Sequence, residues 1–528
     1  LRMGNNGQKM SNTGRRILAA FLYMRKQHRQ DSAAFTKART LMLRSKTPHL
    51  TAVMLLGLVA ATASPALELD DCRISAGPAY PGIKARCGTL MRPENPDDPG
   101  SPGIEIAIAV VPALDLEPEP DPFVPLAGGP GGSAIEFYAA YSGAFEYVRR
   151  HRDILLVDQR GTGSSSRMDC DVDDDIIEGR FNEEQVLEIT RDCLDALPHD
   201  PRFFTTSVAV TDLEAVREAL GYGPLNLYGV SYGSRVAQHF AKRYPDSTRS
   251  IVLDGVVPPQ IVLGPEIATE AQGALEQIFS RCAADEACKA RFPNLPQAFR
   301  QLRTELDEQP VSVEIPNPVT GELEFSEFGS AELAGAIRLL AYSANSMAIV
   351  PLLVDAAAAG NVGPLAAQFR MISAQMADAL ALGMHNSIMC SEDAPFYDDE
   401  AIDYGALEAS YIGVVQLDTI EAMCSVWPAG PVDDDFRAPL DTAIPVLLLS
   451  GDADPITPPR YASLAMVDLE RARHLIGVQQ GHGQAAVGCT PRLIGEFVAS
   501  ADPVDLDAGC LERSFVMPFF LDFGGPAP

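Results

Sequence analysis

The sequence predicts an α/β fold, with a mostly parallel central sheet flanked by helices and a large, mainly helical cap domain inserted into it. Short apolar runs alternate with amphipathic helices over residues 67–260 and again over 437–528, and this alternation is typical of a parallel sheet. Residues 261–436 have mainly helical spacing, with one predicted hairpin over 311–325. We expect this insertion to cover the carboxyl ends of the strands, where open α/β sheets bind ligands.

The first 66 residues differ in charge from the rest of the chain. They hold 11 of the 41 Lys and Arg residues and one of the 71 Asp and Glu residues, which leaves a net charge of −40 on residues 67–528. A short basic segment from Met42 precedes an apolar run over 50–61 and then small residues. This is the layout of a secretory signal peptide. We therefore predict a periplasmic or secreted protein whose true start is Met42, the alternative being a genuine basic presequence over 1–41.

Composition narrows the classes of partner. With 46% hydrophobic and 21% charged residues, the chain of 528 residues is globular and long enough for more than one structural unit. Its acidic balance argues against nucleic acid or an anionic membrane as a partner. The apolar run of the leader is too short to span a bilayer comfortably, so no stable membrane insertion is expected after signal removal. No oligomeric state is predicted.

Ten cysteines follow the leader, and an even number in an exported chain predicts disulfides. Pairing of sequence neighbours is the simplest connectivity, and several free buried thiols are the alternative. The neighbouring pairs are Cys72 with Cys87, Cys170 with Cys193, Cys282 with Cys288, Cys390 with Cys424 and Cys489 with Cys510. No spacing of cysteines or histidines is that of a zinc site, so we predict neither a metal nor a cofactor.

The predicted elements follow one another along the chain. Apolar runs predict strands over 103–114, 123–126, 152–157, 225–228 and 250–257, and after the insertion over 444–450 and 474–478. Helical spacing predicts helices over 211–220, 235–244, 271–283, 331–344, 365–382 and 492–500.

A serine lies where one of these strands turns into a helix, in the pentapeptide Gly229-Val-Ser-Tyr-Gly233. This arrangement is a nucleophile elbow. The two glycines are needed because the turn leaves no room for a Cβ and because the serine is forced into a strained backbone conformation. Ser231 is therefore the predicted nucleophile, at a helix N-terminus where the amide of Tyr232 points at the group under attack.

Two glycine-rich segments follow earlier strands. Residues 127–133 (A-G-G-P-G-G-S) let backbone amides approach a ligand oxygen. A phosphate site is the alternative, but the Lys-Ser/Thr and G-x-G-x-x-G patterns are missing, so we predict an oxyanion loop that works with Tyr232. Residues 158–165 (D-Q-R-G-T-G-S-S) are expected to support the site through Asp158 and Arg160, an internal ion pair with hydrogen bonds to the loop.

A serine hydroxyl needs a base to take its proton and a carboxylate to orient that base. His482 is the best candidate base because it follows a strand and lies between two glycines. Asp454 leads the candidate acids because the prolines after it stiffen its loop. Asp452 and Asp254 also follow strands, and Asp254 is the fallback. We expect ordinary roles for His151, His199, His239, His385 and His474.

Five motifs of the core belong together: A-G-G-P-G-G (127–132), D-Q-R-G-T-G-S (158–164), G-V-S-Y-G-S (229–234), D-P-I-T-P (454–458) and G-H-G (481–483). In this combination and in the order serine, acid, histidine, the chain resembles the prolyl iminopeptidase and tripeptidyl aminopeptidase group of α/β-hydrolases. The resemblance covers the catalytic core from about residue 70 to the end and is loose in the cap. The C-terminal part, with Cys489 after the G-H-G, resembles the tripeptidyl aminopeptidase branch.

The resemblance implies Ser231 as nucleophile, Asp454 as acid and His482 as general base. It also implies that the amides of Gly129 and Tyr232 form the oxyanion hole.

One position departs from the group's pattern, because the usual histidine before the glycine pair is Ala127 here. This departure weakens the assignment to the prolyl iminopeptidases proper.

Exopeptidases of this group use cap carboxylates to hold the free amine of the substrate. In this chain Glu392 and Asp393 lie beside Cys390, and a disulfide to Cys424 would steady them. We therefore predict Glu392 and Asp393 as substrate-binding residues, with a solvated acidic turn as the alternative.

The predicted activity is that of an exported serine exopeptidase, which hydrolyses peptide bonds near the free N-terminus of small peptides through an acyl-enzyme. A carboxylesterase acting on small acyl esters is the alternative, because the same triad serves both reactions. A binding scaffold on a hydrolase fold is a third possibility, against which the intact serine and histidine argue.

Overall fold

A nine-stranded mixed sheet forms the centre of the structure. The computed structural model describes residues 67–77, 80–98, 100–170, 182–318 and 320–526, so the predicted leader and its signal peptide lie outside the described residues. The described strands are β1 (Asp70–Ile74), β2 (Ile83–Pro93), β3 (Gly103–Val111), β4 (Glu119–Leu126), β5 (Arg152–Val157), β6 (Leu225–Val230), β7 (Thr248–Asp254), β8 (Val311–Pro316), β9 (Leu323–Phe328), β10 (Val446–Gly451), β11 (Ala472–Gly477), β12 (Phe520–Asp522) and β13 (Gly525–Pro526).

The order of strands across the large sheet is β1, β2, β3, β5, β4, β6, β7, β10 and β11. The first four strands in this order pair antiparallel, and every later pairing, from β5 with β4 to β10 with β11, is parallel. The mostly parallel sheet predicted from the sequence is confirmed. The remaining strands pair antiparallel as β8 with β9, which is the predicted hairpin, and β12 with β13.

Both faces of the sheet are buried, which explains why its strands are continuous apolar runs in the sequence. Successive residues of β7 enter different hydrophobic clusters, since Ile251 and Leu253 pack on one face and Val252 on the other. In β10, Leu448 and Leu447 alternate in the same way. The period-2 geometry of a strand thus fills two cores at once.

Helices of the first part of the core cover the faces of the sheet. They are α1 (Ala134–Tyr141), α2 (Glu146–Arg149), α3 (Glu183–Ala196), α4 (Thr206–Leu220) and α5 (Tyr232–Arg243). Helix α4 was predicted over 211–220 but begins at Thr206, because the apolar segment before residue 211 continues the buried face of the helix. Its predicted end is confirmed, since Gly221 follows it in the left-handed region with φ +70°.

Between β7 and β10 the chain is mostly helical. Its helices are α6 (Ile267–Ala284), α7 (Glu286–Arg291), α8 (Leu295–Glu308), α9 (Ser330–Leu340), α10 (Ala344–Met347), α11 (Val350–Ala358), α12 (Gly363–Ala379), α13 (Leu382–Ile388), α14 (Tyr404–Ala409) and α15 (Val415–Cys424). Most of them share a hydrophobic cluster distinct from the two at the sheet. Residues 63–528 nevertheless form one compact unit, and the boundaries 261–436 of a cap domain remain a prediction.

After β10 the core resumes with α16 (Pro459–Ala465) and α17 (Thr490–Ser500). The parallel strands end side by side: Leu126 of β4 pairs with Gly229 of β6, and Val230 of β6 pairs with Asp254 of β7. The loops after β4, β6, β7, β10 and β11 therefore leave the sheet at one edge, which collects residues from distant parts of the sequence.

Five disulfides join the ten cysteines in the predicted pairs of sequence neighbours, and no cysteine of the described chain is free. The predicted connectivity is therefore confirmed. None of the helices that the structure describes is both long and apolar enough to cross a membrane.

Candidate active site

The serine predicted as nucleophile lies between β6 and α5 with a backbone that non-glycine residues seldom adopt. Ser231 has φ +56° and ψ −128°, so its turn is strained. A Cβ at Gly229 would collide with the carbonyl oxygen of Gly233, and one at Gly233 would collide with that of Leu126. The glycines of the pentapeptide are thus required by close backbone packing at the turn.

The candidate base and acid are hydrogen-bonded to each other. Nδ1 of His482 lies 2.8 Å from Oδ2 of Asp454, and the Asp454 side chain is fully buried. Oδ1 of Asp454 accepts the backbone N–H groups of Ile456 (2.8 Å) and Thr457 (2.9 Å). Oδ2 also accepts the Thr457 hydroxyl at 2.7 Å. The stiff loop after β10 therefore fixes the carboxylate, and the carboxylate fixes the imidazole.

Burial lowers the pKa of His482, but the charge and the hydrogen bond of Asp454 outweigh burial, so the pKa is raised above the ordinary value of 6.5. A raised pKa makes the imidazole a stronger proton acceptor, as a general base requires.

The segment between β7 and β10 contacts His482. The backbone N–H of His482 donates to the carbonyl oxygen of Tyr342 at 2.7 Å. The Tyr342 ring packs edge-on against the imidazole with a centroid distance of 5.5 Å. No motif marks Tyr342 in the sequence, because its place next to His482 depends on how the insertion packs.

The two other candidate acids have different partners. Asp254, the fallback, is fully buried, and its carboxylate accepts the Tyr228 hydroxyl and the backbone N–H groups of Gln484 and Ala485, each at 2.8 Å. Burial raises its pKa to about 6. Asp452 accepts the N–H of Gln479 at 2.5 Å. Asp254 therefore holds the loop that follows His482, and its hydrogen bonds leave Asp454 as the partner of the imidazole.

Ser231 and His482 line one cavity of about 480 Å³ together with Gly128, Gly129 and Tyr342. Within the described residues the Ser231 hydroxyl makes no hydrogen bond, and in enzymes without substrate the bond from serine to histidine is often loose. The structure thus brings the predicted nucleophile, base and acid to one place.

The predicted oxyanion residues flank the serine. Gly129 lines the cavity with φ +119°, and a Cβ at its neighbour Gly128 would lie 2.9 Å from the Cβ of Ser231. Tyr232 is the first residue of α5, where backbone N–H groups have no partner within the helix. The phenol ring of Tyr232 points away from the tight turn at Ser231, since its hydroxyl contacts Gln159 (2.9 Å) and Thr206 (2.6 Å).

The predicted substrate-binding carboxylates are not in the cavity lining, and this corrects the prediction. Glu392 and Asp393 are both completely buried, so the solvated turn is wrong as well. Asp393 forms a bidentate ion pair with Arg235 of α5, at 2.9 and 3.0 Å. Glu392 accepts the N–H (2.6 Å) and the hydroxyl (2.9 Å) of Thr206, and burial raises its pKa to about 8. Both side chains join the insertion to the core.

The loop over 158–165 has the expected supporting role, but with different partners. Arg160 pairs with Asp212 of α4 at 2.7 and 2.9 Å, not with Asp158. Asp158 accepts the Ser133 hydroxyl (2.7 Å) and the N–H of Ser164 (3.0 Å). Asp158 thus ties this loop to the glycine-rich loop, and the predicted internal ion pair between Asp158 and Arg160 is wrong.

Three polar side chains of the cavity carry no motif in the sequence. Glu266 precedes α6, Arg338 lies on α9 and His385 lies on α13, and all three line the cavity. His385 is partly buried, its Nδ1 has no hydrogen-bond partner among the described residues, and burial lowers its pKa. It was expected to be an ordinary cap histidine.

Two family models match the chain. An α/β-hydrolase fold model matches residues 121–299, which include Ser231, and a TAP-like protein model matches residues 409–510, which include Asp454 and His482.

Named relatives are similar over part of their length. Serine protease Hip1 of Mycobacterium tuberculosis is 30% identical over 250 residues, which are 43% of this chain and 46% of that protein. The tripeptidyl aminopeptidase of Streptomyces coelicolor is 30% identical over 152 residues, which are 25% of this chain and 27% of that protein. The chain thus spans less than half the length of these relatives.

Among solved structures, the proline iminopeptidase of Mycobacterium smegmatis aligns with 78% of this chain and 98% of its own, at 16% identity and a TM-score of 0.37.

Proposed function

We propose that this chain, which an α/β-hydrolase fold model and a TAP-like protein model match in separate segments, is an exported serine exopeptidase that acts near the free N-terminus of small peptides. The observation that carries the proposal is the cavity that Ser231 lines together with a histidine already oriented by a buried carboxylate. Similarity to a serine protease and to a tripeptidyl aminopeptidase supports peptides as the substrates.

The reaction runs through an acyl-enzyme. His482 takes the proton of the Ser231 hydroxyl as the oxygen attacks the carbonyl carbon of the scissile bond, and the amides of Gly129 and Tyr232 donate to the oxyanion. The intermediate collapses, the C–N bond breaks, and the leaving amine receives the proton from His482. Water, deprotonated by the same imidazole, then releases the N-terminal product and restores the serine.

Recognition of the free amine falls to Glu266 in this proposal. Its Oε2 accepts from Arg460 (2.9 Å) and from the Tyr461 hydroxyl, while Oε1 has no partner in the described part of the chain. Glu270 contacts the same guanidinium at 2.5 Å. Two carboxylates therefore share one cation, and the remaining negative charge at the cavity suits an ammonium group.

Export is supported by the five disulfides, which persist in oxidising compartments. N-terminal sequencing of the protein recovered from the periplasm or medium checks it, and recovery of the chain from the cytosol with its leader intact would contradict it.

The activity is tested with three chromogenic substrates: a tripeptide anilide with a free amine, the same anilide with a blocked amine, and a p-nitrophenyl ester. We expect turnover of the free-amine peptide, little turnover of the blocked one, and no turnover by Ser231→Ala. Glu266→Gln should lower kcat/KM for the free-amine substrate about tenfold or more, as loss of a charged hydrogen bond does, while leaving the ester unaffected.

The same assay distinguishes the peptidase from the alternative function, a carboxylesterase. Cleavage of the ester alone would identify a carboxylesterase, for which the mostly apolar lining of the cavity is the favourable observation. Absence of all turnover in a folded protein would contradict the enzyme.

A further inference from the structure

Arg338 is a cation that lines the active-site cavity. Its guanidinium makes no hydrogen bond, ion pair or ring contact within the described residues, and its Nε is buried. The buried guanidinium groups of Arg160 and Arg235 differ in charge pairing, since each forms a bidentate pair with an aspartate, although the Nε of Arg235 also lacks a hydrogen-bond partner among the described residues. A buried donor without a partner is rare in native proteins, and an absent ligand is one physical reason for it.

The groups around Arg338 do not neutralise its charge. Neither cavity carboxylate forms an ion pair with Arg338: Glu266 is bound by Arg460 and the Tyr461 hydroxyl, and Asp254 by a tyrosine hydroxyl and backbone N–H groups. Burial lowers the pKa of the nearby His385, so its imidazole is neutral near pH 7 and brings no second positive charge. The guanidinium of Arg338 thus keeps its positive charge without a direct partner among the described residues, in a mostly apolar cavity where an anion binds more strongly than in water.

The position of Arg338 relates it to the reacting atoms. It lies near the end of α9, four residues before Tyr342, whose ring packs against His482. Arg338 lines the same cavity as Ser231 and His482, so a substrate bound at the reacting groups can extend to it. Arg338 is therefore placed to bind a charged group of that substrate.

We propose that Arg338 binds a carboxylate of the substrate and makes the enzyme select peptides that carry one. The planar guanidinium matches a carboxylate through two parallel hydrogen bonds. The carboxylate has two possible sources: an acidic side chain in the released N-terminal part, or the C-terminal carboxylate of a short leaving peptide. This inference rests on the proposed peptidase function and adds its substrate class.

The test uses matched substrates that differ in one charge. For the first source, tripeptide anilides with Glu or Gln at each position are compared. For the second, penta-alanine with a free C-terminus is compared with its C-terminal amide. Wild-type protein should prefer the charged member of one set by about tenfold or more in kcat/KM, the expected effect of a charge-assisted hydrogen bond. In Arg338→Gln this ratio should fall to about one.

A matched control is Arg300→Gln, which removes an exposed arginine from the cap helix α8 outside the catalytic cavity and should keep the wild-type ratio. A wild-type protein without preference in either set would overturn the inference, and so would a preference that survives in a folded Arg338→Gln. The wild-type comparison needs no variant, so it holds even where Arg338→Gln does not fold.

Failure of the proposed function is recognised separately. If peptides are not cleaved but esters are, p-nitrophenyl butyrate is compared with the p-nitrophenyl half-esters of succinate and glutarate, and the same loss of preference in Arg338→Gln is required. If nothing is turned over, calorimetric binding of tri-alanine acid and tri-alanine amide decides. Equal binding of the two overturns the inference.

Discussion

The substitution Asp454→Asn tests whether Asp454 orients the base, because it should change the tautomer of His482 without changing the fold of the site. In the wild type, Oδ1 of Asp454 accepts two backbone N–H groups of its own loop, while Oδ2 accepts from the Thr457 hydroxyl and from Nδ1 of His482. Asparagine keeps an oxygen for the backbone donors, so the loop and the fold should survive. The atom that faces His482 becomes an NH₂ group, which cannot accept from Nδ1.

The imidazole must then present Nδ1 as an acceptor to the new amide and carry its proton on Nε2. The protonated Nε2 can no longer take the proton of Ser231, so His482 keeps its position but cannot act as the base. Loss of the correct tautomer costs about 10⁴-fold in rate, which corresponds to about 5 kcal/mol of transition-state stabilisation. We expect this loss in kcat with a change in KM of less than about threefold.

The assay is the steady-state hydrolysis of whichever chromogenic substrate the wild type cleaves, with Tm measured on the same samples. Asp254→Asn is the matched comparison, because Asp254 holds the loop after His482 without touching the imidazole. It should lower Tm and affect kcat less than Asp454→Asn. A fall of less than about tenfold for Asp454→Asn, or a larger catalytic loss for Asp254→Asn at unchanged Tm, would refute the assignment of the acid.

Three further predictions follow from the same contacts. The pKa of His482 is raised above 6.5, and only the neutral imidazole accepts a proton, so kcat/KM should fall as pH is lowered through that raised pKa; a pH profile flat down to about pH 5 would argue against this base. Burial raises the pKa of Glu392 from 4.5 to about 8, so between these values the unfolded chain has lost a proton that the folded chain keeps, and stability should decrease as pH rises. Glu392→Gln should flatten this decrease in Tm measured from about pH 5 to pH 8, whereas Glu408→Gln, at an exposed position, should not. Replacing both Cys390 and Cys424 by serine removes a disulfide with a sequence separation of 34, and this should cost about 4 kcal/mol of unfolding free energy. The same replacement of Cys282 and Cys288, with a separation of 6, should cost about 2 kcal/mol. Equal losses in denaturant titrations would contradict the loop-closure explanation.

Features that depend on a few neighbouring residues were predicted well from the sequence. The turn at Ser231 needs glycines on both sides because of backbone crowding, and the sequence of the pentapeptide shows these glycines directly. The loop of Asp454 is stiffened by prolines next to it, and the strands are apolar because both faces of the sheet are buried. The disulfides join cysteines that are neighbours in sequence.

Predictions failed where a partner lies far along the chain. Glu392 and Asp393 were expected to meet a substrate amine, yet Asp393 pairs with Arg235, 158 residues away, and Glu392 binds Thr206, 186 residues away. Asp158 and Arg160 are close in sequence, but the guanidinium pairs with Asp212 of another helix. Charge alone does not reveal whether a carboxylate is buried or which cation neutralises it.

The sequence by itself determined the parallel strands of the sheet and the elbow, and it named the candidate triad, because each rests on local backbone geometry and on strands that end at one edge of the sheet. The tertiary structure decided which charges face the cavity. Glu266, Arg338 and Tyr342 reach the site only because the insertion packs over the sheet edge. No short-range pattern encodes that packing, since it is the sum of many apolar contacts between segments distant in sequence.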